Sequence, residues 1–420
     1  GLDPRVDAGS PALGSAIAPE DPFFTIVTYR GAFGNTNNWL NDWTALSDNN
    51  FLGDLVDPLT TADCTNPIRI TDADLVAGET YTWTKDNCYV LDGLVFLEEG
   101  ATLNIEAGTT IKGAFEVTTG DNTSALIVAR GAQIFANGTA DEPIIFTAEL
   151  DDPTDPDDVP NPQEARGLWG GLIILGDATI ARPGGEDGIE GIDADEPRAR
   201  FGGTNDDDDS GVLRYVSIRH GGSALAPGDE INGLTLGGVG SGTTLEYIEV
   251  FANFDDGIEF FGGTVDLKHA SVSYCGDDSY DYDYGWRGRG QFWFSLNDDA
   301  PQSAGRGGEH DGANPDDQMP FSQPTIYNAT YIGSGAAGDV PDGDGNDFAL
   351  VLRDNAGGFY WNSVFTDFTG KALTIEDLPD TDVDAWNNYQ NGDLAFQNNL
   401  WFGFGAGTAL ADLVQLGEGN

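Results

Sequence analysis

Basic side chains are scarce in this 420-residue chain: 18 Lys and Arg stand against 71 Asp and Glu, a formal net charge of −53 at pH 7. So strong an anionic field excludes nucleic acid and anionic lipid surfaces as partners. Cysteine is rarer still, with Cys64, Cys88 and Cys275 only, and no CxxC or Cys/His cluster has zinc spacing. In an oxidising compartment Cys64 and Cys88, which flank one segment, are expected to pair, leaving Cys275 as a buried thiol. The three histidines, His220, His269 and His310, are widely separated, so a three-histidine metal centre would need a coincidence of folding. No apolar run approaches the ~18 residues of a membrane-spanning helix, and no transmembrane helix is expected. A GxSxG elbow, an HExxH helix, a GxGxxG turn and a P-loop are all missing in workable context. The absence of long 3.6-residue periodicity disfavours doubly wound sheets and α/β barrels.

What is present argues for a folded chain. Hydrophobic residues make up 39%, with 23 Phe, 13 Tyr and 9 Trp, more core material than a disordered chain carries. From Leu94 onward, β-rich runs recur every 20 to 30 residues, each closed by Gly, Asn or Asp; examples are ALIVARGAQIFANG, GLWGGLIILGDATIA, GVLRYVSIRHGG and FALVLRDNAGGFYWNSVF. That rhythm predicts an all-β, right-handed parallel β-helix, a solenoid of stacked coils. A sandwich or propeller would need hairpin turns that the runs lack. The 58 glycines suit tight corners, and in GGVGSGTTLEYIEV they are expected to turn the chain before Leu245, Ile248 and Val250 enter the next strand. Residues 151–166 and 298–324, polar and rich in Pro or Gly, read as long loops, and residues 1–63 as a cap over the first coil with a short helix around 38–46. The β-helix proper then spans 64–420. The lack of an initiator Met at Gly1 suggests a processed export product.

Several long strings carry a further likeness: WTKDNCYVLDGLVFLEEGATLNIEAGTTIKG, LWGGLIILGDATI, FGGTNDDDDSGVLRYVSIRHGG, INGLTLGGVGSGTTLEYIEVFANFDDGIEFFGGTVDLKHASVSY and DDSYDYDYGWRGRGQFWF. Over about Trp83–Phe294, and more weakly to Trp401, the chain resembles secreted or outer-membrane-anchored parallel β-helix proteins of Bacteroidetes-type bacteria. The resemblance implies a β-helix fold and a location at the cell surface, on the outer membrane face or outside the cell, and it supplies no catalytic residues. The sequence departs from that pattern in having no lipid-attachment cysteine near Gly1 and no evident sorting domain before Asn420.

The acidic residues suggest either adaptation to salt or binding of hard divalent cations, Ca²⁺ above all. In CGDDSYDYDYGW, Asp277, Asp278, Asp281 and Asp283 are the leading candidates, because strand alternation sets Asp281 and Asp283 on one face and Tyr280, Tyr282 and Tyr284 on the other. Crowded carboxylates repel, and a cation or Arg287 or Arg289 would relieve them. The plainer alternative is a solvated outer face. In DGDGND, Asp342, Asp344 and Asn346, with Asp347 beside them, follow the one-three-five spacing of a calcium loop, without the glycine and terminal glutamate of an EF-hand. Asp206–Asp209 are a third candidate and Asp255 with Asp256 and Glu259 a fourth, the plainer alternatives being a solvated turn for the first and residues that satisfy backbone donors at a corner for the second. For catalysis, Arg287, Arg289, Lys268 and His269 are the groups that a polysaccharide lyase on this scaffold would use near the tyrosine and aspartate cluster. Trp286, Trp361, Trp386 and Trp401 are candidates for exposed contacts to sugars or proteins. The sequence therefore favours a non-enzymatic, calcium-stabilised structural or adhesion protein of the cell surface. Its partners would be surface polysaccharide or envelope proteins, with self-association into oligomers or filaments. The alternative is a carbohydrate-active lyase or hydrolase.

Overall fold

The computed structural model describes residues 2–53, 59–156, 158–159, 161–226, 229–297, 306–337 and 348–417. Short strands rich in Val, Ile and Leu pair in parallel with their counterparts one coil away. Ten of them build one sheet in chain order: Leu94–Leu97, Ala125–Val128, Leu172–Leu175, Leu234–Gly237, Ile258–Phe261, Tyr280–Asp283, Gly308–Asp311, Phe348–Arg353, Lys371–Glu376 and Val414–Gly417. A 17-stranded sheet supplies two further faces. The architecture is a parallel β-helix, and the ten-stranded sheet is its third face. Cys64 and Cys88 are joined by a disulfide with Cα atoms 5.2 Å apart, and Cys275 is a buried free thiol.

Inside the solenoid like residues stack in columns. On the third face Leu234, Ile258, Tyr280, Gly308, Leu350 and Leu373 form one column, and Leu236, Phe260, Tyr282, His310, Leu352 and Ile375 the next. Polar tips in these two columns find partners: Tyr282 Oη donates to Gly357 O at 3.0 Å, and His310 Nε2 lies 2.7 Å from Tyr360 Oη. His310 sits stacked on Tyr282 with ring centroids 3.9 Å apart.

The first two faces meet at a corner that the chain turns within a single strand. In Gly211–Arg219, Thr244–Phe251, Asp266–Ser273 and Arg289–Leu296 the bend falls on Tyr215, Tyr247, His269 and Phe292, with φ between 48° and 60°. The corner in LEYIEV is therefore made by Tyr247, and the glycines ahead of it turn a different one. Holding a bulky side chain in the left-handed region costs roughly 1–2 kcal/mol. Stacking offsets that cost: Tyr215–Tyr247, Tyr247–His269 and His269–Phe292 have centroids 4.3, 4.2 and 4.9 Å apart. In later coils Asn328, Asn362 and Asn398 take over the same left-handed position, which asparagine tolerates well.

Residues 2–53 lie along the flank of the solenoid rather than across its first coil. Ala32, Phe33, Leu40 and Leu46 pack on Phe251, Tyr274, Phe292 and Phe294, and Gly31 N donates to Asn362 O. The expected cap is thus a strap, and its short helix runs Ala45–Asp48, later than the 38–46 expected. Residues 151–166 carry no strand among those described. The 298–324 segment does: Gly308–Asp311 is a full rung of the third face. GEHD reads as loop by composition, yet His310 faces the core while Glu309 and Asp311 face outward.

Candidate functional site

The outer side of the third face carries the chain's most unusual chemistry. Alternation sends Tyr280 and Tyr282 into the core and Asp281 and Asp283 outward, as the sequence pattern requires. Tyr284 joins neither set, because it turns the corner at φ 53° and packs on Phe261. Parallel register stacks the outward residues of successive coils: Thr235, Glu259, Asp281 and Glu309 form one column, and Phe261, Asp283, Asp311 and Arg353 another. The turns entering these strands form a third. Gly233 N donates to Asp256 O, Gly257 N to Asp278 O and Ser279 N to Arg306 O, so that Asn232, Asp256, Asp278 and Arg306 follow one another up the stack.

This face is not solvated. Residues 177–207 leave the stack and cross it, packing Ile180, Ile189, Ile192 and Phe201 on Ile173, Leu175 and Phe261. On this face Asp256, Glu259, Asp278, Glu309 and Asp311 are buried, while Asp255, Asp277 and Asp281 are half-buried. Burial, and secondarily the negative charge of neighbouring carboxylates, pushes Asp255 up to about 8 and holds Asp256, Glu259, Asp281 and Asp283 well above the carboxylate range. Asp278 is pushed up to about 7 by burial, with Arg306 opposing.

Two arginines end the acidic columns. Arg306 pairs with Asp278 at 3.5 Å and with Glu309, and Arg353 pairs with Asp311 at 2.9 Å and with Glu309. Among the described residues none of the ion pairs involves Asp255, Asp256, Glu259 or Asp281. These four, with Asp277, fall into two groups that share one residue. Asp255, Asp256 and Asp277 each bring a carboxylate oxygen within 4.8 Å of the others, and so do Asp256, Glu259 and Asp281.

Of the four aspartates singled out in CGDDSYDYDYGW, Asp277 and Asp281 thus join candidate ligand sets. Asp278 serves Arg306, and Asp283 lies further along, accepting from Tyr284 N at 2.5 Å. Asp255, Asp256 and Glu259, the fourth candidate set and alternatively corner residues, belong to the centre of the cluster. Asp342, Asp344, Asn346 and Asp347 lie outside the described residues. Asp206, read as part of a solvated turn, accepts from Thr179 N at 3.0 Å and pairs with Arg287 at 3.3 Å.

The candidate catalytic groups are not at this cluster. Arg289 and Lys268 point from the first face toward the N-terminal strap: Arg289 binds Asp21 of the strap at 3.0 Å and Asp266 of the neighbouring strand at 2.5 Å, and Lys268 Nζ donates to Phe23 O at 3.0 Å. His269 is stacked at the aromatic corner, and burial drives its ring down to about 3, so it is neutral. Closeness in sequence misled here because a single turn carries the chain from the third face to the first. Trp286 is fully buried against Phe260, with centroids 4.0 Å apart, and is no exposed contact residue. Trp386 and Trp401 line an apolar groove of about 500 Å³ beside the last coil, and half-buried Trp361 stacks on Tyr327.

Comparison with known proteins fits this architecture. Residues 76–406 match the family described as the pectate-lyase-like β-helix domain, more than three quarters of the chain. The chain belongs to that family. No curated protein is significantly similar in sequence. Among solved structures, tailspike protein 2 of Escherichia coli O157:H7 bacteriophage CAB120 aligns at 11% identity with a TM-score of 0.20, over 75% of this chain and 37% of the tailspike. The chain thus spans little more than a third of that protein's length.

Proposed function

We propose that this member of the pectate-lyase-like β-helix family is a non-catalytic protein of the cell surface or extracellular space, a stiff acidic rod that binds surface polysaccharide or envelope proteins. The observation that carries this reading is the dispersal of the groups a polysaccharide-cleaving enzyme would need. Cleavage requires an acid and a base within reach of one bond. Here the carboxylates are roofed over on the third face, Arg289 and Lys268 are engaged with the strap on the first, and His269 is neutral between two aromatic rings. The net charge of −53 keeps such a rod hydrated. No helix among the described residues is long and apolar enough to cross a membrane.

The competing reading, a lyase or hydrolase, draws support from the family's likeness to pectate lyases. The test is a panel of acidic and neutral polysaccharides incubated with the protein in calcium and in EDTA. The expected outcome is retention on one or more polysaccharides with neither unsaturated nor new reducing ends. Turnover that Arg289→Ala abolishes would overturn the proposal.

A further inference from the structure

The N-terminal strap does not lie flat on the first face. It is pinned at two points by side-chain amides that stand in for a neighbouring strand. Ile17 N donates to Asn362 Oδ1 at 2.9 Å while Asn362 Nδ2 donates to Ile17 O at 2.8 Å. Thr25 N donates to Gln291 Oε1 at 2.7 Å while Gln291 Nε2 donates to Thr25 O at 2.8 Å. Between these points the strap leaves a gap over the sheet, a groove of about 350 Å³ with residues 17–21 as one wall. The first face supplies its floor. Parallel register sets Gln291, Tyr327 and Trp361 in successive coils, and the rings of Tyr327 and Trp361 stack with centroids 5.7 Å apart and planes 15° apart. Phe24 packs on Tyr327 at the Thr25 end, with centroids 4.5 Å apart. Trp361 is half-buried, so that part of its indole opens on the groove. Size, aromatic floor and sparse polar rim are those of a small-ligand subsite.

The charges of the rim decide which ligand fits. The Arg289 guanidinium is held by both oxygens of Asp21 at 3.0 Å and by Asp266, and its far side lies over the Phe23 ring at 4.6 Å. The Lys268 ammonium donates to Phe23 O and, at 2.9 Å, to Thr25 Oγ1. Both cations are therefore engaged with the strap. Glu20 is exposed on the rim, and the Tyr327 hydroxyl beside it is pushed upward by burial first and then by the Glu20 charge. A uronate carboxylate entering here would meet Glu20 and Asp21 while the nearest cations are occupied, and it would be repelled. A neutral sugar meets no such barrier. Its C–H faces suit the negatively polarised ring faces, and its hydroxyls suit the carboxylate of Glu20 and the hydroxyls of Tyr327 and Thr325.

We propose that this groove between strap and first face is a binding subsite for a neutral polysaccharide, with Trp361 and Tyr327 as the platform for a sugar ring and Glu20 as an acceptor for its hydroxyls. The inference rests on the reading of the rod as a polysaccharide-binding protein, and it adds a place and a class of ligand. The place is the flank under the strap, away from the roofed acidic face. The class follows from charge, since a chain of net charge −53 repels polyuronates at long range as well. The strap becomes part of the site: anchored at Ile17 and Thr25, its wall is formed before the sugar arrives, so little order is lost on binding.

The test measures binding of the full chain to surfaces coated with neutral polysaccharides (glucan, galactan, mannan and xylan) and with acidic ones (polygalacturonate and alginate). Retention on at least one neutral polysaccharide is expected, stronger than on either acid and unchanged between roughly 0.05 and 0.5 M NaCl, because no charge on the ligand is recognised. Trp361→Ala should weaken that affinity about tenfold or more, Trp361→Phe, which keeps an aromatic surface, less than about threefold, and Glu20→Ala severalfold. Tyr389→Ala, at the aromatic groove beside the last coil, should bind as the wild type does. The subsite is overturned, and the rod's binding of polysaccharide left standing, by equal affinity of the wild type and Trp361→Ala, by an equal loss in Tyr389→Ala, by preference for the acids or by loss of binding in salt. Retention on no polysaccharide overturns both. Should Trp361→Ala fail to fold, Glu20→Ala, at an exposed position, decides instead, since undiminished affinity would remove the rim contact and the subsite with it.

Discussion

Raising the pH from 5 to 8 should loosen the N-terminal strap, and Glu249→Gln should remove that dependence. Glu249 is wholly buried where the strap crosses the second face. Its Oε2 accepts from Ala45 N at 2.7 Å and Ser217 Oγ at 2.5 Å, while Oε1 has no partner. The guanidinium of Arg219 stands over the same hydroxyl, with Nε donating to Ser217 Oγ at 2.8 Å, and is bound to Asp48 of the strap at 2.6 Å. Asp151 is the other carboxylate that bears on Arg219, and the buried His220 nearby is held below its usual range by burial. One guanidinium thus serves two or three buried carboxylates, and Glu249 is pushed up to about 7, by burial first, with Arg219 opposing. Arg219 keeps its charge, and the missing charge balance falls on Glu249.

An acid whose folded value lies above its unfolded value of about 4.5 holds a proton that the unfolded chain has lost. Stability is therefore full below about 4.5, falls as pH rises towards about 7, and is flat beyond. At ~1.36 kcal/mol per unit the full swing is on the order of 3 kcal/mol, or about two decades in the opening constant of the strap. Hydrogen exchange of the 43–52 peptide, corrected for the intrinsic rate and run at fixed calcium, should show protection falling by that factor in the wild type from pH 5 to 8. Glu249→Gln should stay flat and exceed the wild type at pH 8. Equal pH dependence in both proteins, or weaker protection of the Gln variant at pH 8 alone, would refute the charge argument.

His269→Phe should leave thermal stability within ~1 kcal/mol of the wild type and polysaccharide retention unchanged, because Phe292 already fills the equivalent corner at φ 60° and the His269 Nδ1 has no partner; His269→Ala, losing both stacking neighbours, should cost about 3 kcal/mol in chemical denaturation. Reducing the Cys64–Cys88 disulfide, which closes a 24-residue separation, should destabilise the first coils by about 3.5 kcal/mol on the chain-entropy account, read as early exchange of the Thr80–Trp83 and Cys88–Leu91 strands. Gly211→Ala places a Cβ 2.0 Å from Ile134 O at φ +112° and should cost more than ~2 kcal/mol, with a matching fall in melting temperature. An unchanged melting temperature would show that the coil junction at Gly211 relaxes freely.

The stacking principle and the outward set of Asp281 and Asp283 were legible in the chain because both depend on period-two alternation, a local property. The corner at Tyr247 was legible in principle: Leu245 and Ile248 are both buried but stand three apart, as are Leu213 and Val216, and one extra residue in an alternating run marks a bend. The acidic cluster was only half legible. Its members meet across coils, so that Asp256 stands against Asp278 through a register that no single run encodes. Aligning DDGIEFF, DDSYDYD and RGGEHDG would have shown the columns and revealed Arg306 as the cation that closes one of them. Glu309 and Asp311 escaped because GEHD lacks branched apolar residues. A rung whose outward side is roofed by other protein does not need to look like a strand. Glu190 and Asn232, whose side chains join residues 177–207 to the stack at 2.8 Å, had no sequence signal, since their role depends on where a 30-residue excursion comes to rest.

A division of labour in stability follows from where the carboxylates are. The interior columns from Leu234 to Ile375 contain no carboxylate, and burial keeps their one histidine, His310, neutral, so their stability does not follow ionic composition or pH from neutrality upward. The strap and the roof are attached differently. Each lies on an outer face, and each attachment traps more carboxylates than cations: Glu249 and Asp48 against Arg219 under the strap, and Asp255, Asp256, Glu259 and Asp281 under the roof with no arginine pairing them among the described residues. Attachments built this way are conditional, since a buried excess charge is tolerated only while something offsets it. A chain of net charge −53 can place acids at such seams without altering its core, and the seams then answer to the medium. Raising the pH from 5 to 9, which ionises these acids, should therefore release the roof and leave the solenoid standing, with protection from hydrogen exchange, corrected for the intrinsic rate, lost in residues 177–207 and retained in the Leu234–Gly237 and Ile258–Phe261 strands beneath; cooperative loss of both would mean that the cover is part of the core.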